Sequence, residues 1–174
     1  MKSNCFSFRR FKGKDADCLY REYQEYTIEN IQPYFSAGVG MDKSQFLETI
    51  QKYSNKVYRP PIIVDGIDVP FGVYHLSYRH ANRYYELALY MWDNQHLAKE
   101  ILRQILDQVL YAEHPKACLL LEIPGYEPDL QQAAEDLAMD YIGTVPKYLC
   151  HGTELFDKHI YAVSSEKWNS AKII

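Results

Sequence analysis

No two cysteines stand at motif spacing: Cys5, Cys18, Cys118 and Cys150 are scattered singly along the 174 residues, and no C-x-x-C occurs. The six histidines show no H-x-x-x-H and no Cys/His metal-ligand motif, so spacing offers no zinc site. Long apolar runs are missing as well. The longest, residues 117–121, falls far short of the ~20 residues that cross a bilayer. Met1-Lys2-Ser3-Asn4 leads directly into alternating Phe and polar residues, without the apolar core of a signal peptide. These absences give the expectation of a cytoplasmic protein with reduced, mostly buried thiols. A basic excess is lacking too: 19 Lys+Arg against 23 Asp+Glu leaves a net charge of −4. That balance argues against nucleic acid or an anionic membrane as partner, since a phosphate lattice requires a basic footprint. There is no repeat, no low-complexity tract and no G-x-S-x-G nucleophile turn. Gly38-Val39-Gly40 has no strand before it and no Lys-Ser/Thr after it, so it reads as a flexible connector and not as a phosphate loop.

What remains is an ordinary globular composition, 47% hydrophobic and 24% charged, of a length that suits a single domain over residues 1–174. Tyrosine stands out, with 16 residues beside 7 Phe and 2 Trp. Such rings sit at the edge of a core with their hydroxyls in water, or line a groove for a cationic ligand through cation–π contact. Composition leaves both open.

Periodicity supplies the elements. Residues 5–11 alternate and predict a strand. Asp15 is placed to cap a helix over 16–31 that carries Leu19, Tyr23, Tyr26 and Ile31, stopped by Pro33. Asp42 with Gln45 forms a capping-box pattern ahead of a helix with Phe46, Leu47, Ile50 and Tyr53 on one stripe. Ile62-Ile63-Val64, the turn signal Asp65-Gly66, and residues 69–78 predict a hairpin. A turn over 79–82 leads into a third strand over 83–91. The longest helix spans 94–112, with apolar pairs Leu97-Ala98, Ile101-Leu102, Ile105-Leu106 and Val109-Leu110. Each step of four residues overshoots a full turn by about 40°, so the stripe is slanted. Residues 117–121 are apolar without alternation, as in a strand covered on both faces, which makes a βαβ unit. A helix from Pro128 or Asp129, a strand over 141–150, a turn at His151-Gly152 and a closing strand over 153–164 complete the order. The expected class is mixed α/β (α+β): a mostly antiparallel sheet of about seven strands flanked by about four helices.

This order resembles that of the GNAT (Gcn5-related N-acetyltransferase) superfamily over nearly the whole chain. Arg10 with Asp15, Tyr85-Glu86-Leu87-Ala88-Leu89, and Leu97-Ala98-Lys99-Glu100-Ile101-Leu102 resemble its opening strand–helix, its fourth strand and the start of its long helix. The resemblance implies acetyl-CoA as co-substrate, no metal, and direct acetyl transfer to a small-molecule or peptide amine. The family holds the CoA pyrophosphate on a Q/R-x-x-G-x-G/A turn, whose glycines let backbone N–H groups converge on the anion at a helix N-terminus. The matching stretch is Asp93-Asn94-Gln95-His96-Leu97-Ala98, followed by Lys99. Ala98 fits the last position, His96 replaces the glycine and Asp93 replaces the Gln or Arg.

On that resemblance Glu86 is the candidate base, Tyr90 and Met91 supply backbone donors to the thioester carbonyl, and Asn94, Gln95, His96, Leu97, Ala98 and Lys99 form the pyrophosphate turn. The tyrosine acid of the family is replaced by Glu135-Asp136-Leu137-Ala138, and its usual Asn by Pro124-Gly125-Tyr126-Glu127-Pro128. Tyr126 is the candidate donor to the departing thiolate. Apart from such roles, Glu86 reads as a surface carboxylate paired with a cation, and Tyr126 as a packing aromatic. Two other readings stay open: a GNAT-fold binding or regulatory module without transfer activity, and a different acyl donor. The acidic balance favours a cationic acceptor. Oligomeric state is open, a homodimer being one arrangement.

Overall fold

Asp42 and Gln45 form the reciprocal cap that their spacing predicts: Gln45 N–H donates to Asp42 Oδ1 at 2.9 Å and Asp42 N–H to Gln45 Oε1 at 3.1 Å. Asp15 behaves differently. It ends a short 3-10 turn, Gly13–Asp15, accepts from the Lys12 N–H at 2.7 Å, and is 1% exposed. Arg9 donates to both of its oxygens at 2.7 and 2.8 Å. The expected cap is therefore a buried ionic anchor.

The computed structural model of the chain describes residues 6–25, 41–56, 62–66, 69–79, 84–113, 117–151 and 154–170. Its elements are β1 (Ser7–Arg10), α1 (Ala16–Glu25), α2 (Lys43–Lys56), β2 (Ile62–Asp65), β3 (Pro70–Arg79), β4 (Tyr84–Met91), a 3-10 turn (Gln95–Leu97), α3 (Ala98–Leu106), a π-helical stretch (Asp107–Glu113), β5 (Cys118–Pro124), α4 (Pro128–Asp136), β6 (Asp140–His151), β7 (Glu154–Ser164) and α5 (Ser165–Ser170). The extension of the first helix to Ile31, the loop with Gly38-Val39-Gly40, the tip of the 79–82 turn and Gly152 lie outside the described residues. Seven strands form one mixed sheet in the order β1-β2-β3-β4-β5-β7-β6. β1–β2, β2–β3 and β5–β7 are antiparallel, and β4–β5 is parallel, as the predicted βαβ unit requires.

Contacts divide the chain into two compact units. The first comprises Met1–His75, Ala88–Asp93 and Cys150–Glu154. Its core is a cluster of Leu19, Phe46, Ile63, Val73 and Tyr90, with Phe11, Tyr20 and Trp92 packed against it. Burying each such side chain contributes roughly 1.5–3 kcal/mol. Arg9 donates to Asp65 on β2 at 2.6 and 2.9 Å as well as to Asp15, so one guanidinium ties β1 to β2 and to the start of α1.

The second unit comprises Leu76–Leu87, Asn94–Leu149 and Leu155–Ile174. The predicted long helix is here α3 with a π-helical continuation. Wider i→i+5 turns hold more than four residues per turn, so four residues fall short of a full turn and the slant of the stripe is taken back. Val109 and Leu110 accordingly stay as buried as Ile101 and Ile105, at 2% or less exposed. β5 departs from expectation: Leu119, Leu121 and Ile123 are buried, while Cys118 and Leu120 are half-buried and Glu122 is exposed. One face is covered and the other partly open, so the strand alternates after all. The short α5 had no signal in the sequence. It docks through Trp168, whose Nε1–H donates to Asp107 at 2.9 Å.

Candidate active site

Each expected site residue can be placed. In the first unit, Tyr90 and Met91 close β4 with 3% exposure each. The Trp92 and Asp93 N–H groups both donate to the Phe71 carbonyl, at 3.1 and 3.4 Å, so the strand end stays fastened to β3. The Tyr90 side chain belongs to the core cluster. Buried Tyr74, Tyr85 and Tyr161 likewise show that part of the tyrosine excess serves packing.

The remaining candidates lie in the second unit. Glu86 on β4 accepts from Arg79 Nε at 2.8 Å and Nη2 at 2.7 Å, and from the Tyr84 hydroxyl at 3.2 Å. The carboxylate in turn raises the pKa of the exposed Arg79 guanidinium. The paired arrangement is the bland alternative that the sequence allowed, with Arg79 as the cation.

In the turn before α3, the left-handed position is at Asn94, with φ of 55°, and not at His96, where the family pattern would put a glycine. Asparagine tolerates this conformation better than other residues with a Cβ. The Leu97 N–H donates to the Asn94 carbonyl at 2.8 Å and the Ala98 N–H to the Gln95 carbonyl. Ahead of them stand the N–H groups of Gln95 and His96, at the helix start where backbone donors have no intrahelical acceptor. Lys99 is held by Asp136 at 2.7 Å, and the ammonium together with Gln132 lowers the pKa of that carboxyl. The turn thus suits an anion through two backbone donors and the helix dipole, while Lys99 is engaged with Asp136 on α4.

Tyr126 follows β5, its ring set edge-on against Phe156 at 5.1 Å. The corner is tight: the Gly125 N–H donates to the Asp157 carbonyl at 2.8 Å, and a Cβ on Gly125 would meet that same oxygen at 3.1 Å. Glycine allows β7 to approach here, and that approach fixes the next residues. Glu127, at the N-cap of α4, is 7% exposed, and burial pushes its carboxyl up to about 8. Its side chain makes no cap hydrogen bond to the first turn of α4. No local pattern marks it, because an acid before Pro128 looks like an ordinary first-turn residue. Only packing around the corner buries it.

Among the described residues no group of three or more His, Cys, Asp or Glu is placed to hold a metal ion, and no described helix is long and apolar enough to cross a membrane. No protein-family model and no curated protein sequence matches the chain. Solved structures do. A spermidine N-acetyltransferase from Vibrio cholerae, in complex with CoA and spermine, matches with a TM-score of 0.74 at 12% identity, over 96% of this chain and 99% of that one. A GNAT-family acetyltransferase from Bacillus anthracis matches with a TM-score of 0.66 at 18% identity, over 95% and 98%. The chain has the GNAT fold. At these identities the likeness carries the backbone and not the side-chain chemistry, so the departures at the GNAT turn and acid positions stand as real differences.

Proposed function

We infer that the protein is an N-acetyltransferase that moves an acetyl group directly from acetyl-CoA to an amine, with no covalent acyl-enzyme. The observation that carries this reading is the near full-length likeness to an acetyltransferase whose structure contains CoA. In this reading the N–H groups of Gln95 and His96 and the dipole of α3 hold the pyrophosphate, with Asn94, Leu97, Ala98 and Lys99 shaping the turn. Backbone groups of Tyr90 and Met91 orient the thioester carbonyl. Glu86 takes the proton of the amine, through water where its pairing with Arg79 requires, and Tyr126 donates to the departing thiolate. The acceptor is a small-molecule or peptide amine. A cationic polyamine is the first to test, because the neighbour's structure contains spermine and this chain carries a net charge of −4.

The test is thermal unfolding with and without acetyl-CoA, followed by free-thiol release over an amine panel. A ligand at 100 times its Kd stabilises the folded state by about 2.7 kcal/mol. No rise in Tm at millimolar acetyl-CoA would overturn the reading. A second reading, a binding or regulatory module on the same fold, is favoured by the engagement of Glu86 with Arg79 and of Lys99 with Asp136. A Tm shift without thiol release, unchanged in Glu86→Gln, would select it.

A further inference from the structure

A cavity of about 450 Å³ lies at the start of α1, wholly within the first unit. Its size suits a small-molecule site, and none of the residues given a role in acetyl transfer lines it. One wall is the 3-10 turn and α1, where Lys14, Asp17 and Arg21 recur at helical spacing. The other is the start of β3 and the end of β4, with Val69, Pro70, Trp92 and Asp93.

Both walls are fastened, so the space is preformed. Asp15 is tied to Arg9, and Asp17 to Lys43 on α2. The Trp92 indole packs against the core, its ring 6.0 Å from that of Tyr90, and the Trp92 backbone N–H holds the strand end to Phe71. The pairings of Asp15 and Asp17 neutralise both aspartates of the helix wall, which leaves its character to Lys14 and Arg21. Arg21 is 61% exposed and meets Glu22 at 3.4 Å, a longer contact than the 2.7 Å that holds Asp15. A lysine and a guanidinium fork on one wall suit a carboxylate. Asp93 puts the opposite sign on the facing wall. Beside it, Val69 is 63% exposed and Trp92 is half-buried, an apolar surface that gains by being covered.

We propose that this cavity binds a free α-amino acid with an apolar side chain. The carboxylate meets Lys14 and Arg21, the ammonium meets Asp93, and the side chain covers Val69, Pro70 and the Trp92 indole. A ligand with one charge alone leaves the charge of one wall unanswered, so the occupant carries both.

Calorimetry on the intact chain, without acetyl-CoA, tests this with L-phenylalanine and L-leucine. Two analogues accompany them: 3-phenylpropionate, which lacks the ammonium, and phenethylamine, which lacks the carboxylate. An amino acid should bind at millimolar concentration or below, and each analogue of phenylalanine about tenfold more weakly or worse. Binding should change the tryptophan emission of wild type and not of Trp92→Phe. The double variant Lys14→Met, Arg21→Met should lose the preference for phenylalanine over phenethylamine, and Asp93→Asn the preference over 3-phenylpropionate. All three positions are exposed, so the Tm of each unliganded variant should match wild type. No binding of either amino acid, equal binding of either analogue to wild type, or preferences that survive in the variants would overturn the proposal. None of these readouts uses acetyl-CoA, so such a result leaves the acetyltransferase reading intact, and a failure of acetyl transfer leaves this site intact.

Discussion

Arg9 donates to two aspartates that are not equivalent, because Asp15 is 1% exposed and Asp65 is 21% exposed. Truncating Arg9 leaves the Asp15 charge buried without its counter-ion, and such losses cost about 3–5 kcal/mol. Asp65→Ala leaves the Arg9–Asp15 pair in place and should cost about 1 kcal/mol or less. Urea unfolding of the two variants checks the contrast. Glu127 makes a second prediction at this scale. Its folded-state pKa, about 8, lies above the ordinary 4.5, so folding takes up a proton between those values. The stabilising effect is full below about pH 4.5 and is lost as pH rises through about 8, at up to ~1.4 kcal/mol per pH unit within the window. Glu127→Gln cannot titrate, so its Tm should draw progressively above that of wild type from pH 5 to pH 8. Parallel Tm curves for the two proteins would contradict the burial argument.

Among the elements, α4 ends in a Schellman pattern: the Met139 N–H reaches the Ala134 carbonyl at 3.0 Å and the Ala138 N–H reaches Glu135 at 2.8 Å. Ala138 occupies the left-handed position with φ of 55°, where glycine has no steric penalty. Ala138 is exposed, so replacing it removes no packing. Ala138→Gly should therefore stabilise by about 1 kcal/mol, read as a higher urea midpoint at unchanged slope. The same scale shows what the sequence made legible. The Asp42–Gln45 cap, the β4–β5 parallel pair and the apolar pairs of α3 follow from local spacing and were readable. The π-helical continuation was not, because its apolar pairs repeat every four residues as they would in an α-helix. The half-open face of β5 was also hidden, since a run of leucines looks the same whether one or both faces are covered.

For the molecule as a whole, element order alone pointed to the GNAT fold, and the structural neighbours agree at 12–18% identity. The site was less legible. Glycines in the turn are a sequence signal for a left-handed residue, but here Asn94 supplies that conformation two positions earlier than the pattern's glycine. Glu127 is buried at the corner where Gly125 bonds to β7, and no local pattern records such burial. Arg9 carries one more consequence. Its bond to Asp65 joins residues 56 apart, and bringing the ends of such a stretch together costs roughly 3.6 kcal/mol of chain entropy. If the clamp closes after the rate-limiting barrier, its loss speeds escape from the native basin and leaves the return unaffected. Stopped-flow mixing of Arg9→Ala should show a steep gain in the unfolding rate constant beside an unaltered refolding limb, so this one guanidinium sets how long the protein stays folded and not how fast it gets there.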